Sequence, residues 1–336
     1  MSDHNRATIR LVARHAGVSP ATVSRVLSGS RQVSAINRDK VLGAVAELGY
    51  SPHITAQNLA TGQSRIIGVV VPDLSNPHFT TLVKRLIHAS AADSYEVLVA
   101  DSDEVVDTEC SLATDLLRRC DGVVMCNPRA DDQALLALTE HDKPVLFVNR
   151  RFTTSEVSTA ITDVGPAMED ITRHVLDLGH RRIAYVGGRV QSYLDTQRWS
   201  AIQRAGAGDD VELFRLPIDE HIPSWTSIAK TVLDLECTAV LANNDIGAVS
   251  LAATLTRMGV DVPGDISIAG FDDTPLASWF TPALTTARIR TDELGEVAWD
   301  AMSQMIVDPS TVIHSMLVAT AVFRESTATR STRPRH

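Results

Sequence analysis

Several things are scarce in this 336-residue chain. Its four cysteines (Cys110, Cys120, Cys126, Cys237) form no CxxC pair and no ligand-spaced cluster with histidine. That spacing argues against a disulfide framework or a structural zinc site and suits buried thiols in a reducing cytoplasm. No apolar run approaches the roughly 20 residues of a membrane helix; the longest, such as Ile66–Val71, are strand-sized. The opening Met-Ser-Asp-His-Asn-Arg lacks the apolar stretch of a secretory leader, so a cytoplasmic protein with no membrane partner is expected. Catalytic fingerprints are missing too. No GxGxxG opens a helix after the first strand-like run, and there is no GxxxxGK[ST], no GxSxG and no zincin-spaced His/Glu pair. The reading is therefore not an enzyme, with no cofactor and no metal.

What is present is a globular composition, 44% hydrophobic and 21% charged, on a length that suits two or three domains. The net charge of −10 conceals an asymmetry. Residues 1–65 carry eight Lys and Arg against three acids, a net +5; the remaining 23 bases and 38 acids leave −15 for the rest. A small basic head on a large acidic body points to an anionic partner for the head alone.

The head has helical spacing at Ile9, Val12, Ala13 and Ala16, with Thr8 at the N-cap position. Gly17-Val18-Ser19 interrupts it: glycine can take the left-handed turn, and Ser19 can cap a second helix with Pro20 first. Val23, Val26 and Leu27 give that helix an apolar face, and Ala21, Thr22, Ser24 and Arg25 its other face. A third helix is expected over Ser34–Leu48. The pattern fits a helix-turn-helix, although a small packed bundle would share it. In a helix-turn-helix the second helix enters the major groove. There Arg25 suits guanine or phosphate, and Thr22, Ser24 and Ser34 suit phosphates.

From residue 66 short apolar runs (Ile66–Val71, Tyr95–Ala100, Gly122–Cys126, Val145–Val148, then Ile183–Val186, Ala239–Ala242, Ile266–Phe271) alternate with longer helical stretches. Two such series predict two doubly wound parallel-sheet subdomains with a ligand cleft at the strand carboxyl ends. The residues just after the runs are polar: Asp73, Asp101, Asn127, Asn149-Arg150, Asp163, Asn243-Asn244-Asp245 and Asp272-Asp273. Each alone could be a turn former. Together they suit a polyhydroxylated small molecule.

Ala16-Gly-Val-Ser-Pro-Ala-Thr-Val-Ser-Arg-Val-Leu27, Val33-Ser34, Arg38-Asp-Lys-Val41 and Leu48-Gly-Tyr-Ser-Pro52 closely resemble the head of the LacI/GalR family of bacterial transcription regulators. Ile67–Phe79, Leu178–Gly188, Val262-Pro-Gly-Asp-Ile-Ser, Gly270-Phe-Asp-Asp273, Pro282–Thr286 and Phe323–Thr327 resemble the same family's effector-binding core, which has the type I periplasmic-binding-protein fold. The likeness runs from about Thr8 to Thr327. It implies a helix-turn-helix domain at 1–51 and a hinge at 52–64. It further implies an N-terminal lobe at 65–162 and 290–320, a C-terminal lobe at 163–289 and 321–330, and a tail at 331–336. The implied function is a homodimeric repressor on double-stranded, pseudo-palindromic operator DNA, controlled by a small sugar-like effector. Ser19, Pro20, Ala21, Thr22, Ser24, Arg25 and Ser34 would meet DNA, with Pro20 and Ala21 reading bases by apolar contact. Leu59 would wedge into the minor groove from the hinge. Ser75, His78, Phe79, Asn149, Arg198, Asn244 and Asp272 would hold the effector.

The chain departs from the usual pattern at Leu11, Asn37, His53, Gln57, Val164, Ala201 and Ile202, and Ala205–Trp225 lacks a clear family pattern. An alternative is a regulator whose cleft is vestigial or answers to a protein coregulator. A secreted sugar carrier would have no use for the basic head. The polar C-terminus has no apolar heptads, so a dimer rather than a tetramer is expected.

Overall fold

The computed structural model describes residues 8–27, 33–50, 63–188, 192–208, 210–218 and 224–330, which separate into a head ending at Arg65 and a body from Ile66 onward. In the head, α1 (Ile9–Ala16) is capped by Thr8, whose side chain accepts from Leu11 N. It ends at Gly17, whose φ of 66° is the left-handed turn that glycine adopts at no steric cost. Helix α2 (Pro20–Leu27) follows, and α3 (Ala35–Glu47) starts from an N-capping Ser34, one residue inside each expected end. Val12, Ala13, Ala16, Val23, Val26, Val41 and Ala44 form the shared core. Burying that stripe is what stabilises helices of eight residues, which would not persist alone in water.

The body opens with β1 (Ile66–Val71), α4 (Pro77–Ala92), β2 (Glu96–Asp101), α5 (Val106–Leu117), β3 (Gly122–Cys126), α6 (Asp132–Ala137), β4 (Val145–Val148) and β5 (Thr159–Asp163). There follow α7 (Gly165–Asp177), β6 (Arg182–Gly187), α8 (Tyr193–Ala205), β7 (Glu212–Pro217), α9 (Trp225–Asp234), β8 (Ala239–Ala242), α10 (Asp245–Arg257), β9 (Ser267–Ala269), α11 (Pro275–Trp279), β10 (Thr286–Arg288), α12 (Thr291–Val307), β11 (His314–Val318) and β12 (Thr320–Val322).

Two parallel sheets result, one in the order β11-β5-β4-β3-β1-β2 and one in the order β7-β6-β8-β9, with a small antiparallel pair β10-β12. This is the expected doubly wound α/β body. The central runs are buried throughout because helices cover both faces. The second expected strand lies one residue later, at Glu96–Asp101, since Tyr95 packs against Trp299 instead of joining the ladder. The last forms only over Ser267–Ala269. Strands β5, β7, β10, β11 and β12 were not expected. The chain passes between the two sheets after β5, before α12 and after β11. The three departures Val164, Ala201 and Ile202 lie fully buried in the core around β6, where they set packing.

Candidate effector cleft and DNA-reading face

Three helices that follow central strands, α4, α8 and α10, begin at the cleft, and their N-terminal residues line it. Asn76 caps α4, accepting from His78 N at 2.9 Å, with Pro77 in the first position; this turn directs His78 and Phe79 inward. Ser192 caps α8, placing Asp195 and Arg198 on its buried face. Asn244 caps α10 by accepting from Gly247 N at 2.8 Å. On the remaining strand ends the backbone turns left-handed at Asn127, Asn149, Asp272 and Asp273, with φ of 47°, 56°, 109° and 53°. Asn and Asp tolerate that region because their short side chains bond locally. At Asp272 the φ of 109° lies beyond it, the kind of backbone strain that gathers at binding sites.

An inner cavity of about 110 Å³ is lined by helix N-terminal residues and loops that follow strands of both sheets, among them His78, Phe79, Asn127, Arg129, Arg198 and Asp272. It adjoins a wider outer cavity of about 500 Å³ at Asn76, Glu104, Gly188, Asn243 and Asn244, where Asp73, Ser75, Asp101 and Trp225 line the wall. A side chain on Gly188 would meet Asn243 Nδ2 at 2.8 Å, and its N–H donates to Asp195 Oδ1 at 2.7 Å, so glycine keeps this wall thin.

Of the expected effector residues, His78, Phe79, Arg198, Asn244 and Asp272 line the inner cavity, and Ser75 lines only the outer one. Asn149 lines neither. It is 1% exposed, donates to Asn127 Oδ1 at 3.1 Å and accepts from Thr162 N at 2.8 Å, so it positions Asn127 from behind. Sequence reasoning missed Arg129 and Glu104, which pair at 2.6 Å. The signal was Asn-Pro-Arg directly after the apolar run Gly122–Cys126.

The electrostatics centre on Arg198. Its guanidinium lies over the Phe271 ring at 4.2 Å and 3.9 Å from Asp272 Oδ1, yet it donates no hydrogen bond among the described residues, and its Nε is buried. Burial pushes the Asp272 carboxyl well above the usual carboxylate range, against the pull of Arg198 and with the push of Asp245. His78 is held down to about 4 by burial and then by Arg198, so it is neutral near pH 7; its Nδ1 meets Thr291 Oγ1 at 3.2 Å. Cys126 beside the cleft is buried and its thiol is pushed up to about 12, which makes it inert. Among the described residues no group of His, Cys, Asp and Glu is placed to hold a metal, and no helix is long and apolar enough to cross a membrane.

In the head, Ser19, Pro20, Ala21, Arg25 and Ser34 are exposed, and Thr22 and Ser24 half-buried. Ser19 Oγ accepts from Thr22 N at 3.1 Å and lies 2.8 Å from Thr22 Oγ1, which presents the first turn of α2 as a small rigid unit. Ser34 Oγ accepts from Asn37 N, which leaves its hydroxyl proton to donate. Leu59 and the rest of the hinge through residue 62 lie outside the described residues.

A helix-turn-helix head joined to a two-sheet body with a polar cleft is the architecture of a DNA-binding regulator. The bacterial regulatory proteins, lacI family, match residues 8–53, and a periplasmic binding protein-like domain matches residues 172–327. The chain is 32% identical to the HTH-type transcriptional regulator GalS of Salmonella typhimurium over 303 residues, 88% of this chain and 89% of that one. It is 28% identical to catabolite control protein A of Priestia megaterium over 331 residues, 95% of this chain and 99% of that one. The crystal structure of the lac repressor dimer bound to operator and the anti-inducer ONPF superposes with a TM-score of 0.85 at 27% identity, covering 96% of this chain and all of that one. The chain belongs to the lacI family of bacterial regulatory proteins: it is a DNA-binding transcriptional regulator, and its relatives are regulators, not enzymes.

Proposed function

We propose that the protein is a cytoplasmic homodimeric repressor that binds a pseudo-palindromic operator and is controlled by a small polar effector in the cleft between its two sheets. The observation that carries this reading is Arg198: a buried guanidinium with no hydrogen-bond partner among the described residues, in a cavity lined from both sheets. Burying such a charge unserved is costly, and a ligand that accepts from it removes the cost. A vestigial cleft would leave that cost standing, which disfavours the alternative.

The lobes are taken as 65–162 with 290–320 and 163–289 with 321–330, and Ser75, His78, Phe79, Arg198, Asn244 and Asp272 touch the effector while Asn149 supports them. Pro20 and Ala21 meet thymine methyls in the major groove, and Ser19, Thr22, Ser24, Arg25 and Ser34 anchor the phosphates. Leu59 from each hinge (52–64) wedges the central step. Effector binding favours one angle between the lobes and so changes the cost of folding the two hinges on DNA. A coupling of about 1–3 kcal/mol changes operator affinity roughly 5–150-fold.

The test is operator selection from random duplex followed by binding at fixed salt, with Leu59→Ala beside the wild type. The expected result is a two-fold symmetric site that the variant binds at least tenfold more weakly, with unchanged body stability. No preference for any palindromic duplex would overturn the reading.

A further inference from the structure

The inner cavity has an excess of hydrogen-bond donors. Asn127 Oδ1 is used by Asn149 Nδ2, Asn76 Oδ1 by His78 N and Asn244 Oδ1 by Gly247 N, so each of these amides is left with its NH2 group to offer. Arg198 offers its whole guanidinium. Arg129, 7% exposed, uses Nη1 on Glu104 Oε2 at 2.6 Å; its Nε stands 3.6 Å from Glu109 Oε1, and its Nη2 is buried without a partner. Burial disfavours the charged form of the Asp272 carboxyl, which lies 3.9 Å from Arg198. Asn76, Ser192 and Asn244, which all line this cavity, are the N-caps of α4, α8 and α10, so the positive ends of these helices converge there.

A neutral polyol donates a hydrogen bond for each hydroxyl that accepts one, and apart from the Glu104 carboxylate, which pairs with Arg129, such a wall has few acceptors to receive them. A carboxylate or phosphate accepts only, and its planar or trigonal oxygens match the guanidinium fork. We propose that the effector is anionic, a hydroxylated body carrying a carboxylate or phosphate that sits between Arg198 and Arg129 in the inner cavity. The body occupies the outer cavity, whose size of about 500 Å³ suits a sugar. There Asp73 and Asp101 supply acceptors for hydroxyls and repel a misplaced anion. This inference rests on the cleft being the effector site.

The experiment is thermal-shift titration of the full-length protein at constant ionic strength. The probes are matched sets: glucose, gluconate and glucose 6-phosphate; ribose, ribonate and ribose 5-phosphate; fructose and fructose 1-phosphate; and inorganic phosphate alone. The expected result is stabilisation by anionic members and none by their neutral counterparts, and the acid and phosphate arms separate the two anion chemistries. Arg129→Lys retains a cation for Glu104 and Glu109 but loses the fork; it should melt as the wild type does and bind the stabilising anion at least tenfold more weakly. Tighter binding of a neutral member than of its anions, no response to any anion, or an Arg129→Lys variant with wild-type affinity would each overturn the proposal. Operator binding without added ligand is measured on the same samples, so these outcomes leave the repressor reading standing or falling on its own test.

Discussion

Asp245 gives the sharpest test of the cleft's electrostatics. Fully buried at the start of α10, it accepts from Thr274 N at 2.7 Å, Thr274 Oγ1 at 2.9 Å and Thr286 Oγ1 at 2.6 Å. Burial nevertheless dominates, and the carboxyl is pushed up to about 6. An unfolded aspartate titrates near 3.9. Between those values the folded state binds more protons, so stability falls as pH rises, with no cost below about 4 and the full cost above about 6. A shift of two pKa units corresponds to about 3 kcal/mol at neutral pH. Asn in place of Asp can keep its oxygen on Thr274 and turn its NH2 to Thr286, whose hydroxyl rotates to accept.

Asp245→Asn should therefore stabilise the body by about 1–3 kcal/mol at pH 8 and change little at pH 4.5, the range allowing for the loss of a charge-assisted bond. The assay is urea unfolding followed by tryptophan fluorescence. All four tryptophans (Trp199, Trp225, Trp279, Trp299) lie in the body, so the signal reports that unit alone. A variant less stable than wild type at pH 8, or an equal difference at both pH values, would refute the reasoning.

Two further outcomes follow from the same site. His78, held near 4 against an ordinary 6.5, is protonated first in the unfolded chain, so it costs stability as pH falls from 6.5 to 4; His78→Gln should lessen that acid-side loss by up to about 3 kcal/mol, read from urea midpoints at pH 7 and 4.5. Arg198→Met should leave the unliganded melt within about 2 kcal/mol, because the guanidinium donates no hydrogen bond within the described residues, yet weaken the effector response at least a hundredfold; an unchanged dose response in operator-release assays would remove Arg198 from the site.

Much of this architecture was legible in the residues because local chemistry and tertiary demand agree. Gly17-Val18-Ser19-Pro20 contains a helix stop, a cap and a helix start, and the structure puts the turn there. The buried central strands are continuous apolar runs because helices cover both faces. Strands β7 and β11 escaped notice because they are sheet edges: Glu212, Arg215 and Pro217 interrupt one, and alternate residues of the other face solvent. Strand β5, Thr-Ala-Ile-Thr-Asp, has too short an apolar run to stand out, and Asp163, expected just after a strand, is its last residue. Arg129 was overlooked for another reason. An arginine after Asn-Pro reads as a solvated loop charge, and only the folded packing shows that Glu104 and Glu109 draw it under the surface. Asn149 was read as a contact residue because a strand-end amide gives no sign of whether it faces the cavity or holds a neighbour that does.

The left-handed strand ends carry an evolutionary consequence. At Asn127, Asn149, Asp272 and Asp273 the main chain tolerates little besides Asn, Asp and Gly, so drift there is confined to a very small alphabet. A lineage adapting this scaffold to a new metabolite has freer choice at Phe79, Arg129, Leu194 and Ile289, which border the inner cavity and are absent from the left-handed positions. Recognition in such a protein divides into a frozen frame and a mutable lining, and sequence differences among descendants should concentrate in the second.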